Sequence, residues 1–136
     1  MSGSRQEAIM NLPSLNELDR HRIHQQEVRS AYGDYVLSTY FIGSDLLTSL
    51  NISNWEKNRP PDLKRVRDVA RDITTSGRVQ GIIALVSLSG SLVCYDGNHR
   101  RLALATSDTT YKVLVTIIWA ATEEQLAASS ARRMTS

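Results

Sequence analysis

The 136-residue chain has a single cysteine, Cys94, one phenylalanine, three prolines and no long apolar run. One thiol excludes an internal disulfide and any cysteine-based zinc cluster. Its position inside a segment rich in Leu, Val and Tyr predicts a buried, inert group rather than a reactive one. No apolar stretch reaches the ~18 residues of a membrane span, and residues 1–10 lack the apolar core of a signal peptide. The expectation is a soluble protein of the reducing cytoplasm with no membrane partner. Repeats and low-complexity tracts are absent too. Neither sign of charge dominates, since 16 Lys and Arg stand against 14 Asp and Glu for a formal net charge of +2. That is weaker than the footprint of a dedicated nucleic-acid binder, so nucleic acid is permitted but not required.

What is present suits one packed domain: 41% hydrophobic and 22% charged residues are ordinary for a globular chain of this size. Residues 1–34 are expected to form a loose tail and a polar helix, and residues 35–136 an α+β domain. Ser14 and Glu17 have capping-box spacing. They open a predicted helix over 15–31, with apolar residues only at Leu15, Leu18, Ile23, Val28 and Ala31, which suits a surface or a second copy of the chain. His21 and His24 would share one face of it, without a third ligand to make a metal site. Residues 35–42 read as a strand, followed by a short helix over 46–50 capped by Ser44 or Asp45, and residues 51–61 as a linker ending in Pro60-Pro61, which prepares the first turn of the next helix.

That next helix is the clearest in the chain, with Leu63, Val66, Val69, Ala70 and Ile73 at helical spacing. Around it, residues 57–71 hold six basic residues against two acidic ones. Lys57, Lys64, Arg65, Arg67 and Arg71 are therefore candidates for a wall facing a polyanion, the alternative being a solvated helix face. Gly77 is expected to end the helix. Residues 82–88 are apolar almost throughout, as in a central strand covered on both faces. A turn at 89–91 returns the chain as a partner strand over 92–95, and residues 111–119 form a last strand. A second capping box, Thr122 with Gln125, predicts a final helix.

The hairpin delivers the chain into Asp96-Gly97-Asn98-His99-Arg100-Arg101, a turn dipeptide, a cap residue and a helix start carrying cations. Unpaired N–H groups, the helix dipole and adjacent cations favour an anion, best a phosphate. Phosphoryl transfer or hydrolysis would need a base or metal ligand as well, and His99 and Asp96 are the candidate catalytic groups. Asn98 stands where a nucleophile would have to be.

From about residue 40 to 119, roughly sixty per cent of the chain, the order of elements resembles the ParB/sulfiredoxin superfamily. The Asp96-Gly97-Asn98-His99-Arg100 run and the upstream Trp55, Asn58, Arg59, Asp62 and Val66 are similar to its branch with Asp-Gly-Gln/Asn-His-Arg motifs. The resemblance implies a nucleoside tri- or diphosphate with Mg²⁺, held by Gly97, Asn98, His99, Arg100 and Arg101, with Asn58 and Arg59 approaching the same cleft. Asn98 replaces the cysteine of sulfiredoxins, so sulfinic-acid repair is not implied. No Glu-Asn pair follows as in partition proteins, so a complete CTP clamp is not implied either. Two alternatives stand beside this reading. One is a DNA-associated, nuclease-like accessory module using the basic helix. The other is a non-catalytic scaffold assembling through the N-terminal helix.

Overall fold

The computed structural model describes residues 12–88 and 91–119, apart from the side chains of residues 12–15. In order, the elements are α1 (Leu12–Arg20), β1 (Arg22–Val28), β2 (Tyr35–Gly43), α2 (Ser44–Ser49), β3 (Ile52–Asn54), α3 (Leu63–Ser76), β4 (Ile82–Leu88), β5 (Ser91–Asp96), α4 (Asn98–Ala105) and β6 (Lys112–Trp119). The strands form one mixed α+β sheet in the order β1-β2-β6-β4-β5-β3. β4 runs parallel to β6 and β3 parallel to β5, and the other pairs are antiparallel.

The apolar run in β4 does what its composition requires. Ile83 and Leu85 face the helices in a cluster with Val113, Val115 and Ile117 of β6 and Ala103 and Leu104 of α4. Val86 and Leu88 face the other way and meet Trp55 and Ile118. A strand buried on both faces cannot alternate polar with apolar, which is why periodicity alone does not mark it. No helix among the described residues is long and apolar enough to cross a membrane.

Several local expectations change. The helix expected over 15–31 stops at Arg20, and Arg22–Val28 is instead the edge strand β1, paired from Arg22↔Tyr40 to Val28↔Tyr35. After Leu18, which is buried in the core, the next apolar residue is Ile23, five positions on and off the helical face. A helix there would have had nothing to bury, whereas backbone pairing with β2 asks nothing of the side chains. Those side chains are mostly exposed and polar, which blunts the sheet edge. His21 and His24 consequently share no helix face: His21 Nε2 lies 3.2 Å from Glu17 Oε1, and His24 Nε2 3.2 Å from Gln26 Oε1. Ser14 is not a cap either, because α1 begins at Leu12.

The linker over 51–61 contains β3, whose Ile52, Ser53 and Asn54 pair with Leu92, Val93 and Cys94. The prolines lie outside α3, and Asp62 caps it, accepting from the N–H groups of Lys64 at 3.0 Å and Arg65 at 3.4 Å. Gly77 closes the helix in the left-handed conformation, as expected. α2 begins directly after Gly43 with no side-chain cap. Ser44 instead ties it to the start of β6, its N–H donating to Tyr111 O and its Oγ accepting from Tyr111 N–H. Ser89, Gly90 and the helix expected around Thr122 and Gln125 lie outside the described residues.

Candidate anion-binding site

β5 ends at Asp96, and the chain turns through Gly97 at φ 84° and ψ 21° straight into α4. Gly97 is therefore the N-cap, and Asn98, expected as the cap, is already the first helical residue. The left-handed step at 97 consumes the non-helical position that a cap needs. The Asn98 side chain is buried and turned to another task. Its Oδ1 accepts from Arg101 Nε at 2.9 Å and Nη2 at 2.6 Å. Arg101 Nη1 also donates to Ile52 O at 3.3 Å, so this arginine fastens α4 to β3 rather than facing a ligand.

The N-cap is glycine and supplies no side-chain cap to the first-turn N–H groups of α4. They open beside a cleft of about 200 Å³ whose lining includes Asn54, Asn58, Arg59, Asp96, Gly97 and His99. One wall is the segment after β3. Asn58 Nδ2 donates to Asn54 Oδ1 at 2.9 Å and to Cys94 O at 3.2 Å, and Asn54 Nδ2 donates to Arg59 O at 3.3 Å. These bonds hold a loop that would otherwise splay, and they leave the Arg59 side chain exposed. The other wall carries His99, half-buried, whose Nε2 accepts the Asp62 N–H at 3.2 Å. In this arrangement the imidazole is neutral with its proton on Nδ1. A base role through Nε2 would first have to break that bond.

The chain matches no family model, no curated protein and no solved structure.

Asn58, Arg59, Asp96, Gly97, Asn98 and His99 are thus brought to one cleft, as the sequence led one to expect. Arg100 is not with them. The next residue on a helix points about 100° away, and Arg100 lines a separate groove with Arg71 and Arg78. Lys57 lies 6.0 Å from the Trp55 ring centroid. Lys64, Arg65, Arg67 and Arg71 are exposed along α3, and Arg71 reaches Asp68 only at 4.0 Å. No group of three or more His, Cys, Asp or Glu among the described residues could hold a metal by itself. Asn54 was missed at the sequence level. The signal was there in the Asn54 and Asn58 spacing around Trp55, but side-chain amides that bond each other across a loop have no periodicity to read.

Cys94 sits under the cleft, fully buried, with its Sγ donating to Asp96 O at 3.2 Å. Burial pushes its thiol up to about 11 from 9.0, against a smaller opposing pull from Arg101. The thiol is thus inert at neutral pH, as its strand position suggested. The folded state holds this proton more tightly than the unfolded chain. Stability linked to it is complete below pH 9 and is lost as pH rises toward 11, by roughly 2–3 kcal/mol. Urea unfolding from pH 8 to 11 should therefore show a steeper loss for the native chain than for Cys94→Ala. Parallel curves would refute the assignment.

Proposed function

We propose that this cleft binds the phosphate end of a nucleoside tri- or diphosphate, with Mg²⁺. The observation that carries the reading is the helix start itself: a glycine cap, which has no side chain to offer the first-turn donors of α4, opens the helix beside a cleft that also presents Arg59 and His99. Such donors at the positive end of a helix favour a dense negative charge. Size narrows the ligand further. About 200 Å³ is below the ~300–1,000 Å³ that encloses a drug-sized molecule, so phosphates would enter while sugar and base lie outside.

Asp96, among the described residues the one carboxylate lining the cleft, would oppose bare phosphate. Mg²⁺ removes the conflict, since it is bound through one or two carboxylates together with phosphate oxygens. The resemblance to ParB/sulfiredoxin proteins supports the same ligand class, and Asn58 and Arg59 line the cleft.

The test is a thermal-shift panel of ATP, ADP, CTP and GTP, each with and without Mg²⁺. Ligand at a hundredfold over its dissociation constant stabilises by about 2.7 kcal/mol, a rise of roughly 8–13 °C for a domain of this size. Mg²⁺ should enlarge the response. Arg59→Ala, which removes an exposed guanidinium and little packing, should weaken binding ten- to a hundredfold through a lost charge-assisted contact of about 1.5–3 kcal/mol. No shift with any of the four nucleotides would sink the proposal.

A further inference from the structure

A larger groove of about 500 Å³ lies between the second half of α3 and the segment leading into β4. Arg71, Arg78 and Arg100 converge on it, with Asp72 in the same wall and Val69 and Val79 as its apolar part. We propose that this groove is a second binding site, for a small organic molecule that carries an oxyanion on an apolar body.

Arg100 is the centre of the argument. Its guanidinium occupies the space a side chain would need at Gly81: an ideal Cβ there would lie 2.8 Å from Cζ and Nη2 and 3.1 Å from Nε. It also passes Gly97, where a Cβ would lie 3.5 Å from Nη1. Two glycines with positive φ, 87° at Gly81 and 84° at Gly97, thus leave room for one arginine to lie along the backbone. The position is set by shape more than by bonding, because among the described residues the hydrogen bond of this guanidinium is a long one, from Nη1 to Ile82 O at 3.5 Å. An arginine has five N–H donors in a planar fork that matches a carboxylate, phosphate or sulfonate. Most of that capacity is unspent, and it borders a groove that two further arginines share.

The rest of the lining chooses between a small molecule and a polyanion. Val69 and Val79 pack on the core and offer apolar surface at the groove, which a phosphodiester backbone does not use. Asp72 would repel successive phosphates but accepts a donor from a compact ligand. The volume also falls within the ~300–1,000 Å³ typical of small-molecule sites. None of this depends on the nucleotide reading, since the two sites share no lining residue.

The probe is phenyl phosphate, added to the ¹⁵N-labelled full chain, with inorganic phosphate alongside it. Phenyl phosphate should give saturable amide shifts at residues 78–81 and along the second half of α3, at least tenfold tighter than inorganic phosphate. Arg100→Ala should weaken that binding tenfold or more and Arg78→Gln severalfold. The second is an exposed position whose replacement keeps the fold. Shifts confined to residues 54–59 and 96–99 would overturn the proposal while leaving the nucleotide cleft standing. So would wild-type affinity in both arginine variants, or equal affinity for the two phosphates. A labelled single-stranded oligonucleotide that displaces phenyl phosphate at lower concentration would assign the groove to nucleic acid and overturn it as well.

Discussion

Gly97→Ala is expected to destabilise the fold by roughly 3–4 kcal/mol and to abolish ligand binding in the cleft. Two effects add. A non-glycine residue held in the left-handed region costs about 1–3 kcal/mol, and φ at Gly97 is 84°. The new methyl would also stand 2.9 Å from Ile82 O and 3.2 Å from Ile83 Cα. Those are backbone atoms of the central strand, which cannot rotate aside as a side-chain tip would, and overpacking of this kind costs about 1–3 kcal/mol more. Gly77→Ala is the control. Its φ is 73°, but nothing lies within 4 Å of a Cβ built there, so only the conformational term applies, near 1 kcal/mol. Urea midpoints of the two variants read the difference directly. Equal losses would show that close approach between the turn and β4 contributes nothing.

Arg101→Ala is expected to lose about 3–4 kcal/mol. This arginine donates twice to Asn98 Oδ1 and once to Ile52 O, and Asn98 is buried. Hydrogen bonds to a charged group contribute about 1.5–3 kcal/mol, and a buried acceptor left without a donor costs a further 1–3. Arg101→Lys should recover little of this, because a single ammonium cannot reproduce the fork that reaches both acceptors. The loss should reach function too, since the same residue holds β3, and with it the Asn54 and Asn58 wall, against α4. Chemical denaturation with nucleotide titration on both variants checks this. A lysine variant as stable as the native chain would remove the fork from the account.

Much of this arrangement could be read before any coordinates. Helix α3, strands β4, β5 and β6, and the turn into α4 all follow from strong patterns: helical spacing from Leu63 to Ile73, an unbroken apolar run at β4, and turn residues at Asp96-Gly97. The gathering of Asn58 and Arg59 with His99 at one cleft was implied by the family resemblance and not by spacing. The failures have one physical cause. β1 and β3 are edge strands stabilised by backbone bonds to a neighbouring strand, adjacent along the chain for β1 and distant for β3, and their own side chains carry no pattern that records it. The division of labour within Asn98-His99-Arg100-Arg101 was hidden for a related reason. Four polar residues at a helix start look equivalent in a string, but each turns about 100° from the last. Asn98 therefore turns inward onto Arg101, His99 faces the cleft, Arg100 the arginine groove, and Arg101 reaches β3.

The parallel pairing of β3 with β5 has a consequence for how the cleft comes into being. Its two walls are joined across a long detour through α3 and β4, and the Asn58 bond to Cys94 O closes 36 residues of chain. Closing a flexible loop of that length costs roughly 3 kcal/mol of chain entropy beyond a constant, while β3 contributes only three paired residues in return. The closure becomes favourable only once α3 and the β4–β5 hairpin have docked and shortened the detour. The cleft is thus expected to form late in folding, on a finished core, with neither wall retaining it alone.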